Sequence, residues 1–124
     1  MVVQATLIPI YSTRGDVGGF LNYPYIYNRS GEWIGWVTPD RLVYSVRGVQ
    51  VGWMTDEPRI LRKASADPLP SLTPPHPQAS INVPALVPLA PMMAELTFGT
   101  IDVLDEAPEL LPSIDFDELC EDLD

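Results

Sequence analysis

The chain has 124 residues and a formal net charge of −10, which leaves room for one small domain and an additional segment. The imbalance comes from residues 95–124, which hold eleven acidic and no basic residues, whereas residues 1–94 are nearly neutral. Phosphate binding needs clustered Lys and Arg, so direct nucleic-acid binding is not expected.

Cysteine content and hydropathy restrict the class of protein further. The single cysteine, Cys120, excludes an internal disulfide and a Cys-based zinc site. The first ten residues are apolar but lack a basic segment and a cleavage site, so no signal peptide is expected. No apolar run reaches the length of a membrane-spanning helix. We expect a soluble, cytoplasmic protein.

Three consecutive segments of the chain share one pattern. They read YSTRGDVGGF (11–20), YNRSGEWIGW (27–36) and YSVRGVQVGW (44–53), each of the form Tyr-x-x-x-Gly-x-x-x-Gly-aromatic. Their β-branched and aromatic residues on either side of a polar Gly-containing turn predict β-hairpins. The first glycine of each segment is expected to adopt the left-handed conformation that closes such a turn; these are Gly15, Gly31 and Gly48.

The second glycine of each segment falls inside the outgoing strand, at Gly19, Gly35 and Gly52. Glycine weakens a strand unless a bulge or a close contact requires it. The pattern therefore predicts that the backbone bends there or that a neighbouring aromatic side chain lies over the bare backbone. With regular pairing, Tyr25 is expected opposite Gly35, and Leu42 opposite Gly52.

Strict strand alternation assigns the side chains to two faces. The interior is predicted to contain Phe20, Ile26, Ile34, Trp36, Val43, Val49, Val51 and Trp53. The opposite face receives Tyr27, Trp33, Tyr44 and Gln50, with Trp33 as a candidate exposed partner contact. Because repeats around an axis bring equivalent side chains together, Phe20, Trp36 and Trp53 are candidate residues of an apolar ligand pocket at the centre.

A meander of three hairpins would leave two unpaired edges. The segment RILRK at 59–63 begins a fourth unit, and the opening strand, at about residues 2–8, could pair with it. The predicted fold is therefore all-β, a closed or nearly closed meander of three to four pseudo-symmetric hairpins over residues 1–63.

The repeats of residues 7–63 resemble the four-fold β-flower domain, a family of small bacterial proteins with Gly turns and Gly-Trp strand ends. The resemblance implies a shallow, pseudo-four-fold barrel with a central apolar opening. It implies no particular biochemical activity. The expected fourth Gly-turn hairpin does not follow Lys63.

The rest of the chain divides into a proline-rich linker at 64–92 and an acidic tail at 93–124. Eight prolines between residues 68 and 91 favour extended polyproline II structure. Apolar residues spread through the linker predict that it lies partly along a surface, its own or a partner's.

The tail is predicted to contain a short strand within residues 95–104, with Leu96, Phe98, Ile101 and Val103 as apolar members. A helix is expected from the N-cap Ser113. Its apolar face is spaced i, i+3, i+4, i+7 and consists of Phe116, Leu119, Cys120 and Leu123. Such a short helix folds on a partner, so Phe116, Leu119 and Leu123 are candidate partner-binding residues.

The sequence offers no catalytic, metal or cofactor constellation. His76 is the only histidine and lies between prolines, and the acidic clusters lack calcium-loop spacing. We therefore expect a non-enzymatic protein–protein interaction or adaptor protein, with a β-repeat head and an acidic partner-binding tail. One alternative is a small apolar ligand-binding protein that uses the aromatic-lined centre, and another is an acidic inhibitor that mimics nucleic acid.

Overall fold

The computed structural model describes residues 7–64 and 71–113. Eight strands form one antiparallel sheet in which every strand pairs with its neighbours in sequence, and the sheet curls into a half-barrel. The strands are β1 Ile8–Tyr11, β2 Val17–Asn22, β3 Tyr25–Asn28, β4 Trp33–Val37, β5 Leu42–Ser45, β6 Gln50–Met54, β7 Ile60–Lys63 and β8 Thr100–Asp102. The predicted all-β meander of pseudo-symmetric hairpins is confirmed.

The first three hairpins close through the turns that the repeat predicts. Gly15, Gly31 and Gly48 have φ angles of +93°, +86° and +89°. In the second hairpin the Gly31 N–H donates to the Asn28 carbonyl at 3.0 Å, and the Asn28 N–H donates to the Glu32 carbonyl at 2.8 Å. This is a type I turn followed by a left-handed glycine, a conformation that glycine adopts without strain.

A β-bulge in each of these hairpins changes the pairing that regular alternation predicts. Ile26 lies opposite Gly35 and Tyr27 opposite Trp33, so Ile34 is an extra residue without a partner of its own. The expected pairing of Tyr25 with Gly35 is therefore wrong, and Tyr25 faces Trp36 instead.

The third hairpin has the same bulge. Val43 lies opposite Gly52 and Leu42 opposite Trp53, not opposite Gly52 as expected. An extra residue reverses the alternation of the strand beyond it. As a result, residues before and after the bulge that regular alternation would put on opposite faces of the sheet lie on the same face.

The outgoing-strand glycines lie where the backbone of the next strand approaches closely. A Cβ at Gly35 would lie 2.2 Å from the Tyr44 carbonyl oxygen, and one at Gly52 would lie 1.9 Å from that of Leu61. These distances are far below van der Waals contact, so only glycine fits. The glycines do lie at a close contact, but the neighbouring group is a main-chain carbonyl and not the aromatic side chain that was expected.

The fourth hairpin consists of β7 and β8, which are separated by the proline-rich segment. Leu61 pairs with Asp102 and Lys63 with Thr100. The predicted tail strand is thus shorter than expected: Phe98 is fully exposed before it, and Val103 begins a helix after it. Residues 100–102 pair with β7 at the place expected for the opening strand, of which residues 2–6 lie outside the described residues.

The core lies on one side of the curled sheet and is aliphatic. Equivalent positions of the four hairpins, Ile10, Ile26, Val43 and Ile60, each have 0% exposure and belong to one cluster. The helix α1, Val103–Glu106, and a 3₁₀ turn, Pro108–Leu110, pack against this cluster through Leu104 and Leu110. No helix in the described ranges is long and apolar enough to span a membrane.

Candidate functional site

The side of the sheet opposite the aliphatic core carries a cluster of aromatic side chains, which we call the aromatic face. Its buried members are Tyr27, Trp33, Trp36, Tyr44 and Val46. The rings of Trp36 and Tyr44 stack with centroids 5.3 Å apart and planes inclined by 15°. The indole N–H of Trp33 donates to the Gly35 carbonyl at 2.8 Å, so the ring is held against its own strand.

The three residues predicted to line the centre of the flower belong to this face. Residues that pair across antiparallel strands point to the same side of a sheet. Phe20 pairs with Tyr27, Trp36 with Tyr44, and Trp53 with Leu42; Leu42 itself packs against the aromatic cluster.

The shared orientation of Phe20, Trp36 and Trp53 is as expected, but their assignment to the interior with Ile34 and Val51 is wrong. The bulges cause the error, because they turn Ile34 and Val51 toward the aliphatic core and the following aromatic residues away from it.

Trp33 occupies a different environment from the one that its sequence position suggests. It was the candidate exposed contact, yet only 3% of its surface is accessible. It belongs to the buried aromatic cluster, against which the partly buried Ile81 packs. Trp33 is therefore a packed residue, and the expectation of an exposed side chain is wrong.

The aromatic face is covered by the segment 71–94, which we call the strap. The Leu72 N–H donates to the Gly48 carbonyl, and the Ile81 N–H donates to the Gly31 carbonyl, each at 2.9 Å. Nine residues after Ile81, the Cβ of Ala90 lies 3.9 Å from the position that a Cβ at Gly15 would take. The strap thus passes the turns of the third, second and first hairpins in that order.

Between these points the strap contacts the face through a few side chains and carbonyls. Ile81 packs against the aromatic cluster, and the Tyr11 hydroxyl donates to the Pro88 carbonyl at 2.8 Å. By contrast, Leu86 and Leu89 are 90% and 96% exposed. The described part of the linker, residues 71–92, thus lies along the protein's own sheet, one of the two surfaces that the sequence predicts for it.

The Tyr27 hydroxyl is held in its neutral form. Burial raises the pKa of Tyr27 above its ordinary value, and the neighbouring Tyr25 raises it further. Aromatic ring faces and a neutral hydroxyl donor suit an uncharged ligand backbone better than an ion.

Potential metal ligands do not cluster in the described part of the chain. Within 7–64 and 71–113, no group of three His, Cys, Asp or Glu side chains could hold a metal ion. His76 is exposed in the strap. Phe116, Leu119, Cys120 and Leu123, the predicted helix face, lie outside the described residues.

Comparison with known proteins agrees with the geometry of the hairpins. No curated protein and no solved structure matches the chain. The family model described as 4-fold beta flower protein matches residues 8–60, which span β1 to the start of β7. This β-hairpin repeat region is similar to the 4-fold beta flower family, in agreement with the resemblance that its repeats show.

Proposed function

We propose that this protein is a non-enzymatic interaction protein whose aromatic face binds an extended, proline-rich peptide. One observation carries the proposal: the chain's own strap, with six prolines between residues 71 and 94, lies on that face through main-chain hydrogen bonds and apolar contacts. The strap is thus an example, within the same chain, of the kind of peptide that we propose as the ligand.

The chemistry of the contact is that of polyproline recognition. An extended proline-rich chain has no internal hydrogen bonds, so its carbonyls and remaining N–H groups are available to a partner. Aromatic surfaces bind such chains because the chain is pre-extended and loses little entropy. Here Tyr11 donates to a proline carbonyl, and the carbonyls of Gly31 and Gly48 accept strap N–H groups.

The strap would also regulate this activity, because it is covalently attached to the face that it covers. A tethered segment competes at an effective concentration in the millimolar range. A peptide from another protein must therefore displace the strap, and weakening the strap should strengthen binding in trans.

A synthetic, fluorescently labelled peptide with the sequence of residues 71–91 tests the proposal on the full-length chain. Ile81→Asn removes the one strap side chain that packs on the aromatic cluster. We expect this variant to bind the peptide at least tenfold more tightly than the wild type in fluorescence anisotropy. Tyr11→Phe, combined with Ile81→Asn, should weaken binding again because it removes the donor to the Pro88 carbonyl.

The matched control is Leu86→Asn, the same kind of change in the same segment at a side chain that is 90% exposed. It should bind the peptide as the wild type does. Circular dichroism establishes that each variant is folded. If folded Ile81→Asn gains no affinity over Leu86→Asn, the strap is only a part of the fold and the proposal fails.

The acidic tail is proposed as a second interaction element, located with the head in the cytoplasm. Its sequence supports a docking helix whose apolar face includes Phe116, Leu119 and Leu123. The alternative is that the tail acts as an inhibitor that mimics nucleic acid. Its eleven acidic residues, with no basic residue among them, support this alternative as well.

A further inference from the structure

A pocket of about 340 Å³ opens on the aliphatic side of the sheet, at the end where the turns between hairpins lie. Its apolar wall contains Leu21, Val37 and Met54. Each of these residues directly follows the aromatic residue of a repeat, so they are equivalent positions of the first three hairpins. We call this cavity the axial pocket.

The size and lining of the axial pocket suit a small molecule. Small-molecule sites are concave, mostly apolar and about 300–1,000 Å³ in volume, with a few polar groups that orient the ligand. Leu21, Val37 and Met54 are all less than a tenth exposed and belong to the aliphatic core, so the wall is firmly packed.

The rim of the axial pocket supplies one charged pair. Arg41 and Asp56 both line it, and their side chains form an ion pair. The side chains are 59% and 82% exposed, so this pair contributes little to stability and exchanges partners readily. A guanidinium has five N–H donors arranged to hold a carboxylate.

The backbone at Arg41 is also unusual. It is the only non-glycine residue of the described chain with a positive φ, at 68°. Non-glycine residues rarely adopt this conformation, and those that do concentrate at functional sites. Its main chain is fixed by hydrogen bonds to Thr38 and Met54, which hold Arg41 beside the apolar wall.

We propose that the axial pocket binds a small amphipathic carboxylate, with its apolar body against Leu21, Val37 and Met54 and its anionic head on Arg41. The ligand carboxylate replaces Asp56 as the partner of the guanidinium. This site is on the opposite side of the sheet from the strap and does not depend on the proposed peptide binding.

Methyl NMR of the full-length protein, labelled at the ε-carbon of methionine, tests the proposal. Met54 lines the pocket, whereas Met92 is 100% exposed in the strap. The probes are octanoate and the neutral octanamide, which share one apolar chain. Octanoate should shift the Met54 signal saturably, with a Kd at least about tenfold lower than that of octanamide.

Two variants at the rim should change this preference in opposite directions. Arg41→Asn removes the cation, and Asn tolerates a positive φ, so the fold is retained. Its octanoate affinity should fall to the level of octanamide. Asp56→Asn removes the competing carboxylate and should tighten octanoate binding several-fold.

Three results would overturn the proposal. The first is the absence of a saturable octanoate shift at Met54. The second is equal affinity of the wild type for octanoate and octanamide, and the third is unchanged octanoate affinity in Arg41→Asn. An octanoate-induced shift confined to the Met92 or Met93 signal would also contradict the proposal, because it places octanoate outside the pocket.

Discussion

At the scale of single residues, two sets of glycines do different work in the same repeat. The turn glycines supply a positive φ, as at Gly31 with +86°. The strand glycines have no such angle and instead admit a carbonyl oxygen of the next strand. The turns require glycine for its conformational freedom, and the strands require it because it has no side chain.

This distinction predicts different costs for two alanine substitutions in equivalent hairpins. A Cβ at Gly52 would meet the Leu61 carbonyl oxygen at 1.9 Å, which only a backbone shift can relieve. A Cβ at Gly18 would meet the Leu104 Cδ1 at 2.8 Å, the end of a flexible side chain. Gly52→Ala should therefore lower the free energy of unfolding by about 3 kcal/mol, and Gly18→Ala by less than about 1 kcal/mol.

Urea unfolding, followed by tryptophan fluorescence, measures both values. Similar small losses for the two variants would mean that the next strand moves away easily, and close approach would then not explain Gly52.

The turn glycines were predictable from sequence because turn chemistry is local: a type I turn followed by glycine fixes the backbone within five residues. The faces of Trp36 and Trp53 were not predictable from alternation alone. One extra residue in each bulge reverses every side chain beyond it, and Ile34 and Val51 carry no sign of being that residue.

At the scale of elements, the hairpins were predictable from the repeat, whereas the pairing of β8 with β7 and the path of the strap were not. β8 has three residues, and its pairing with β7 spans the whole proline-rich segment. The strap is held mainly by main-chain groups at Leu72 and Ile81, which leave no periodic pattern of side chains. The long-range contacts of these short or irregular elements were therefore not predictable from the sequence.

The element that lies outside the described residues, the predicted tail helix, has its own test. Phe116→Ala with Leu119→Ala removes two apolar anchors while keeping every acid. Each buried anchor typically contributes about 2 kcal/mol or more to binding. We expect the double variant to lose the partner in a pull-down with the full-length chain and to leave the head folded.

A tail with its acidic residues changed to Asn and Gln is the comparison. It should associate more slowly and with a weaker salt dependence, but it should still bind. The opposite pattern, in which the neutralised tail loses all binding and the apolar variant loses none, would favour the mimicry of nucleic acid.

At the scale of the whole molecule, the ends of the sheet meet through polar groups. The Tyr11 N–H of β1 donates to the Pro58 carbonyl just before β7, at 3.1 Å. The Asp102 Oδ2 atom, at the end of β8, accepts hydrogen bonds of 2.7 Å from both the backbone N–H and the hydroxyl of Thr13. These contacts link the first hairpin to the fourth.

Arg59 connects the same place to the strap. Its Nη1 donates to the Thr13 hydroxyl at 3.1 Å, and its Nη2 donates to the Ala94 carbonyl, also at 3.1 Å. Arg59 and Asp102 are 2% and 0% exposed. Buried charged groups are costly unless they are paired, so losing one partner destabilises more than a surface pair would.

This network predicts that Asp102→Ala lowers the free energy of unfolding by about 3 kcal/mol, because two donors of Thr13 lose their acceptor beside a buried guanidinium. Asp105→Ala is the matched control in the same segment. It removes only an ion pair to Arg14, whose side chain is 73% exposed, and should cost less than about 1 kcal/mol.

A double-mutant cycle of Asp102→Ala with Thr13→Val, measured by urea unfolding, isolates the link between the first and fourth hairpins. We expect a coupling free energy of about 1 kcal/mol or more, because the Thr13 hydroxyl bonds directly to Asp102. Additive effects would mean that Asp102 stabilises its own strand alone. In that case apolar packing would hold the first hairpin against the fourth, and the polar contacts between them would add no stability.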